Sequence, residues 1–141
     1  MNAPIPTAVW GTGNVGRAAI RAVDAHPGLE LSAVIVHDPA KVGRDAGDLA
    51  DLDRTLGVAA TDDVEGTLGA VDALVYAASG EIRPDEALAD INRAIALGIV
   101  VVTPSLYGMY DPDSAPPELR DPVHAAIAAG GGSLFVSGID P

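Results

Sequence analysis

Short apolar runs alternate along the chain with segments whose apolar residues recur every three or four positions. The runs are typical of strands buried on both faces, and the second spacing is typical of amphipathic helices. The pattern predicts six strands, which cover Thr7–Trp10, Leu29–Val36, Val58–Ala60, Ala73–Ala77, Ile99–Val102 and Ser133–Val136. Strands that alternate with helices predict a mostly parallel, doubly wound α/β sheet with helices on both faces.

Proline, glycine and aspartate mark the ends of the predicted helices. Helices are predicted over Asn14–Ala25, around Ala46–Leu52, after a cap at Asp62 or Asp63, from Pro84 to Gly98, and from Asp121-Pro122 to Gly130. Proline is favoured in the first turn of a helix and glycine just after the last. The first helix should pack through its apolar residues, which are Val15, Ala18, Ala19, Ala22 and Val23.

Length and composition indicate one globular domain over residues 1–141. The chain has no cysteine, 20 acidic and 8 basic residues and a net charge of −12. Without cysteine there are no disulfides or thiolate metal sites, which fits a cytoplasmic location. The negative charge disfavours nucleic acid and anionic membrane surfaces as partners. No apolar run is long enough to suggest a transmembrane helix, and no secretion signal is evident at the N-terminus.

A glycine motif joins the first predicted strand to the first predicted helix. Residues 11–16 spell Gly-Thr-Gly-Asn-Val-Gly, a G-x-G-x-x-G in the context that dinucleotide-binding sheets require. Gly11 permits the tight turn, Gly13 lets a diphosphate approach the backbone, and Gly16 lets the helix lie close to the strand. The members expected to bind the cofactor are Gly11, Thr12, Gly13, Asn14, Val15 and Gly16. Backbone N–H groups at the helix N-terminus would hold the anion despite the negative net charge.

The segment after the second predicted strand should contact the adenine ribose. Asp38 stands about 20 residues after the motif, where a carboxylate selects the 2′-hydroxyl of NAD. His37, however, is a second candidate for the ribose-facing position, and Lys41 and Arg44 are two of only eight basic residues. This loop therefore favours NADP or dual use over NAD alone, with solvated surface charges as the alternative role of the two cations.

Two further strand ends should border the crevice where ligands of such sheets bind. Small residues follow the fourth predicted strand, and a polar segment follows the fifth. The residues expected to contact the cofactor there are Ala77, Ala78, Ser79, Thr103, Pro104 and Ser105. Tyr107 and Tyr110 lie in the proline-rich loop beyond, where aromatic packing and a substrate-bordering role remain open alternatives.

Other catalytic chemistry lacks support in the sequence. His26, His37 and His124 have no metal-ligand spacing, so no metal site is predicted. Serine-hydrolase and phosphate-loop motifs are absent. The acidic cluster around Asp45–Asp53 is interpreted as a solvated face, with an amine-attracting rim as the alternative. No pair of residues can be assigned as general acid and base.

Several segments resemble the N-terminal half of the dihydrodipicolinate reductase-like family. They are Val9–Gly16, Lys41–Gly47, Thr61–Asp63, Val102–Pro104 and Ser137–Pro141. Within the family, the chain is most similar to the branch of 2,4-diaminopentanoate dehydrogenases and NAD(P)H-dependent amine dehydrogenases. The glycine motif is shared by many families, whereas the segment from Lys41 to Gly47 is more specific.

The resemblance implies a nicotinamide-dinucleotide-binding, Rossmann-type domain of an oxidoreductase that transfers hydride to or from an amine or imine carbon. Amine dehydrogenases of this branch tend to carry glutamates where this chain has Ser105-Leu106, so no acidic catalytic role transfers. Family members continue into a substrate-binding and dimerising half. We therefore expect that a complete active site needs such a second part, which would bind a small amine, imine or carbonyl substrate. Because that part also dimerises in the family, a homo-oligomer is a further expectation. The alternative is a non-catalytic module that senses a dinucleotide.

Overall fold

A computed structural model describes residues 3–78, 84–104, 113 and 115–136. In this part of the chain, strands and helices alternate as the sequence predicts, except that two helices follow one another between the second and third strands. The strands are β1 (Ile5–Trp10), β2 (Leu29–Ile35), β3 (Ala73–Tyr76), β4 (Val100–Thr103) and β5 (Ser133–Val136). The helices are α1 (Asn14–Ala25), α2 (Ala46–Leu49), α3 (Val64–Leu68), α4 (Pro84–Ala96) and α5 (Pro117–Gly130).

The strands form one parallel sheet in the order β2-β1-β3-β4-β5. The chain therefore winds in one direction from β1 to β2 and in the other from β3 to β5, as in a Rossmann-type fold. This confirms the predicted doubly wound α/β sheet. The order reverses between β1 and β3, and in such sheets the crevice at the carboxyl ends of these strands is the usual ligand site.

The third of the six predicted strands is reduced to two isolated bridges, so the described residues form five strands. Thr61 pairs with Ile35 in a parallel bridge, and Ala59 pairs with Asp45 in an antiparallel bridge. The N–H of Ala60 donates to the carbonyl of Arg44 at 2.8 Å. Val58–Ala60 thus pairs with the loop before α2, and only the next residue, Thr61, reaches the outer edge of β2.

Two apolar clusters cover the two faces of the sheet. On one face, Trp10, Leu74, Tyr76 and Val101 pack with α3, α4 and α5, and on the other, strand residues pack with α1 and α2. The alternation of side chains along each strand produces this division. The second face is covered over β1 and β2 only, which leaves three apolar residues of β4 and β5 exposed: Val100, Val102 and Phe135.

The packed side of α1 is rotated from the predicted one. Gly16, Ile20 and Val23 are its buried residues, and Ala19 packs against them in part. Of the predicted face, Val15 is exposed, as are Ala18 and Ala22. The prediction followed the apolar spacing, but the buried positions are those in register with Gly16, which lies against Gly11 just after β1.

Helix α5 begins at Pro117, four residues before the predicted start at Asp121-Pro122. Pro116 occupies the N-cap in an extended conformation, and Pro117 stands in the first turn. The N–H groups of Leu119 and Arg120 both donate to the carbonyl of Pro116. Pro122 therefore lies inside the helix rather than at its start.

Candidate functional site

The turn between β1 and α1 requires glycine at its first position. Gly11 has a φ of +107°, a conformation that side chains other than glycine rarely adopt. A Cβ there would lie 3.0 Å from the backbone of Ala77 and Ala78. The N–H of Gly11 donates to the carbonyl of Ile35 at 2.9 Å, which ties the turn to the end of β2. The turn is thus confined between the two neighbouring strand ends.

The other two glycines of the motif differ sharply in their surroundings. A Cβ on Gly16 would lie 1.9 Å from the carbonyl oxygen of Gly11, so the helix touches the turn backbone. A Cβ on Gly13 would meet nothing within 4 Å. Gly16 is therefore required for packing, whereas Gly13 borders open space at the mouth of the turn.

The N-terminus of α1 offers backbone donors to that space. Gly13 is the N-cap, no side chain caps the helix, and its first turn has no acidic residue. The first N–H groups of a helix have no acceptor inside it, and the helix dipole places partial positive charge at this end. Donors, dipole and open space together suit an anion such as a diphosphate.

The loop after β2 places a cation against the glycine turn. The Lys41 ammonium donates to the Thr12 hydroxyl oxygen at 2.9 Å. The register that pairs Trp10 with Ile35 sets the ends of β1 and β2 side by side. Arg44, the other cation of this loop, contacts Asp48 instead. A half-buried Lys41 therefore adds positive charge beside the open space at Gly13.

His37 and Asp38, which the sequence assigns to the ribose, are both exposed. His37 accepts through Nε2 from the indole N–H of Trp10, with 3.4 Å between the nitrogens. Asp38 accepts through Oδ1 from the N–H of Ala40 at 2.9 Å, so its carboxylate is turned onto the loop backbone. The structure thus brings His37 and Lys41 together with the glycine turn at one edge of the sheet.

The ends of β3 and β4 lie at the same edge. Ala77 and Ala78 are half-buried, and the N–H of Ala77 donates to the carbonyl of Trp10 at 2.8 Å. Thr103 is fully buried, and its hydroxyl donates to the carbonyl of Tyr76 at 2.7 Å. The Thr103 side chain therefore joins two strands and is not open to the crevice, unlike the half-buried Pro104 after it.

Three groups of predicted residues fall outside the described part of the chain. Ser79 follows β3, and Ser105 follows β4, as do Tyr107 and Tyr110 further along. The terminal segment 137–141, which contributes to the family resemblance, is also outside it. The roles assigned to these residues from the sequence stay predictions.

Asp45, at the end of the loop that carries Lys41, holds the start of α2 and residues 56–58 together, a role that the sequence did not suggest. Its carboxylate accepts from the backbone N–H groups of Gly47, Leu56, Gly57 and Val58. These hydrogen bonds, that from Leu56 first, hold the pKa of the carboxyl below its ordinary value of 3.8, against a smaller effect of burial. The sequence signal is an aspartate directly before the small pair Ala46-Gly47. The prediction of a solvated acidic face is therefore wrong for Asp45, whose carboxylate faces backbone N–H groups.

We expect Asp45→Asn to lower the free energy of unfolding near neutral pH, because an amide replaces one acceptor oxygen with a donor that faces N–H groups. A carboxyl whose pKa is lowered on folding stabilises the folded state at pH values above its ordinary pKa. That stabilisation is lost as the pH falls through the pKa of the folded state. The gap between wild type and variant should therefore shrink as pH falls from about 6 to about 3. Urea unfolding across this range measures it.

Asp48→Asn is the matched control for this test, since Asp48 is an exposed carboxylate of the same segment that pairs with Arg44. It should change stability little at any pH, as exposed ion pairs do. A gap for Asp45→Asn that stays constant with pH would contradict the proposed role of the ionised carboxylate.

Two structural features of other protein classes were not found. No helix in the described ranges is long and apolar enough to cross a membrane. The same ranges contain no group of three or more histidine, aspartate or glutamate side chains placed to hold a metal ion.

Comparisons with known proteins point to one family. The family model described as "Dihydrodipicolinate reductase, N-terminus" matches residues 5–103. An amine dehydrogenase of Streptomyces virginiae is 70% identical over 138 residues, which are 97% of this chain and 38% of that protein. A 4-hydroxy-tetrahydrodipicolinate reductase of Nostoc sp. is 38% identical over 102 residues, which are 69% of this chain and 37% of that protein.

A solved structure gives the same result. The amine dehydrogenase from Mycobacterium smegmatis superposes with a TM-score of 0.78 at 30% identity. The match covers 97% of this chain and 40% of that one. The chain therefore spans about two fifths of the length of the relatives that it matches.

Proposed function

This chain belongs to the dihydrodipicolinate reductase family, as an N-terminal NAD(P)-binding domain, and we propose that it prefers NADP(H) and serves hydride transfer at an amine or imine carbon. Residues 11–16 would hold the diphosphate at the α1 N-terminus. His37 and Lys41 would face the adenosine ribose, and the backbone at Ala77, Ala78 and Pro104 would border the nicotinamide half.

The contact between Lys41 and Thr12 carries the cofactor preference. NADP differs from NAD by a phosphate on the ribose 2′-oxygen, which needs a cation in a protein whose net charge is −12. Lys41 supplies one, because its ammonium already lies 2.9 Å from the Thr12 hydroxyl oxygen in the glycine turn. A hydrogen bond between charged partners is about twice as strong as a neutral one.

The other charges of the loop do not oppose this preference. Asp38, the residue that could select NAD, already accepts a hydrogen bond from Ala40. Arg44 pairs with Asp48 through two guanidinium nitrogens and is exposed. Of the two cations in this loop, Lys41 is therefore the one directed toward the glycine turn.

The reaction class is supported by the 70% identity to an amine dehydrogenase. Nicotinamide, when bound, supplies hydride transfer, and the protein supplies binding and orientation. The glycine turn fixes the diphosphate, and the small residues Ala77 and Ala78 leave room beside it at the edge of β3. A substrate-binding part like that of the relatives would present the amine or imine carbon.

We expect Lys41→Met to weaken NADPH binding by about 10- to 100-fold, the effect of losing a hydrogen bond between charged groups. NADH binding should change less than about threefold, because its ribose has no phosphate. Titration calorimetry with both cofactors measures this. The same variant in a chimera, where this chain replaces the matching 138 residues of the Streptomyces virginiae amine dehydrogenase, should form less NADPH from an amine at low NADP concentration.

Arg44→Met removes the same charge from the same loop and is the matched control. It should leave the affinity for both cofactors within about threefold, since Arg44 is held by Asp48. An equal loss of NADPH and NADH affinity in Lys41→Met would contradict the proposed preference. A wild-type chimera that binds NADP yet gives no amine-dependent turnover would favour a non-catalytic sensing module.

A further inference from the structure

Trp10, the single tryptophan of the chain, stands directly before the glycine turn, and nothing in diphosphate binding requires it. It is the last residue of β1 and only 1% exposed. Its ring packs edge-on against Tyr76, with ring centroids 5.0 Å apart and an angle of 65° between the planes. Its bulk thus belongs to the core, but its polar N–H must find an acceptor.

The acceptor is Nε2 of His37, at 3.4 Å. An indole N–H can only donate, so Nε2 must be the imidazole nitrogen without hydrogen. In a neutral ring the hydrogen then lies on Nδ1. The buried indole therefore selects one of two tautomers in an exposed histidine at the carboxyl end of β2.

We propose that Trp10 is a positioning residue that holds His37 as a hydrogen-bond donor, through Nδ1–H, to the oxygen on the 2′-carbon of the adenosine ribose. This inference rests on the proposed function and deepens it. A carboxylate at this position accepts from a 2′-hydroxyl and repels a 2′-phosphate. A neutral Nδ1–H donor suits either oxygen and is stronger toward the charged phosphate.

The proposal explains how the site combines His37 with Lys41. The charged groups near His37 in the same loop are Asp38, whose carboxylate is turned toward Ala40, and Lys41, whose ammonium is turned toward Thr12. His37 and Lys41 would then provide two donors to one phosphate, with no carboxylate competing for them. Without Trp10, the ring would be free to rotate and to place its hydrogen on Nε2.

Trp10→Phe tests the proposal, because it keeps an aromatic ring against Tyr76 and removes the N–H donor together with the rest of the indole's five-membered ring. Nitrogen-15 resonances of the His37 ring, recorded at pH about 8, distinguish the two tautomers. Wild type should show the hydrogen on Nδ1, and NADPH should shift the Nδ1 resonance more than that of Nε2. In Trp10→Phe the two tautomers should mix, and NADPH binding should weaken by about 3- to 10-fold.

A double-mutant cycle separates positioning from a merely structural role. His37→Ala should weaken NADPH binding at least as much as Trp10→Phe, and adding Trp10→Phe to His37→Ala should cause no further loss. Tyr76→Phe is the matched control, since Tyr76 lies in the same apolar cluster as Trp10. The change removes a hydroxyl that donates to Asp90 and leaves the indole N–H intact. It should leave the tautomer and the affinity unchanged.

The proposal is overturned if losses in the cycle add, or if the His37 resonances of wild type place the hydrogen on Nε2. The second readout needs no variant, so a Trp10→Phe protein that fails to fold does not decide the matter. Wild type that binds neither NADPH nor NADH would instead refute the proposed function. The two failures are thus distinguishable in one set of titrations.

Discussion

Gly13→Val is expected to weaken binding of NADPH and of NADH by at least about 100-fold, a loss of about 2.8 kcal/mol, while the protein stays folded. The reason lies in the open space at this position. A Cβ on Gly13 meets no protein atom within 4 Å, and its φ of −74° is accessible to any residue. The valine side chain would occupy the space over the α1 N-terminus that a diphosphate needs.

Stability should change little, since valine at an N-cap costs the helix about 1 kcal/mol or less relative to glycine. Calorimetric titration and urea unfolding of the same sample separate the two effects. Gly69→Ala is the control: Gly69 ends α3 with a φ of −71°, and the nearest contact of its Cβ, at 3.5 Å, is an ordinary one. Undiminished binding by Gly13→Val would place the diphosphate elsewhere.

Gly16→Ala is expected to produce the opposite result, a destabilised fold. The added Cβ would lie 1.9 Å from the carbonyl oxygen and 2.5 Å from the carbonyl carbon of Gly11. Neither atom belongs to a side chain that could turn away, so α1 must move from the end of β1. Overpacking costs roughly 1–3 kcal/mol or more, and the better helix propensity of alanine recovers only about 1 kcal/mol.

The midpoint of thermal unfolding should therefore fall by roughly 5–10 °C, from a net loss of about 2 kcal/mol. Far-UV circular dichroism follows it, with Gly69→Ala again as the control for a glycine replaced in a helical region. A Gly16→Ala protein as stable as wild type would show that the close approach of α1 to the turn is not required. Cofactor binding should weaken too, as the N–H donors shift.

The glycine motif shows how far the local pattern determines the site. A strand, a G-x-G-x-x-G and a helix in succession predict the turn and the bounds of α1, Asn14–Ala25, which the structure has unchanged. These features depend on residues close together in the chain, whose conformational preferences are local. The parallel sheet is predictable on the same grounds, because strands and helices alternate along the whole chain.

Elements whose form depends on distant partners were predicted less well. The third predicted strand is lost because Asp45, more than ten residues away, accepts hydrogen bonds from the N–H groups of Gly57 and Val58. The rotation of α1 was missed because the contact between Gly16 and Gly11 sets it, rather than the number of apolar residues on each side. No periodicity in the sequence reports either contact.

The sequence by itself determined the order of strands and helices, the glycine turn and the class of ligand. His37 and Lys41 were candidates from the sequence, but tertiary structure alone decided which hydrogen bonds they make at that turn. Lys41 meets Thr12 across 29 positions of sequence and His37 meets Trp10 across 27, because the register of β1 and β2 brings their carboxyl ends together. Hydrogen bonds of this kind depend on distances between strands, which hydrophobic periodicity does not encode.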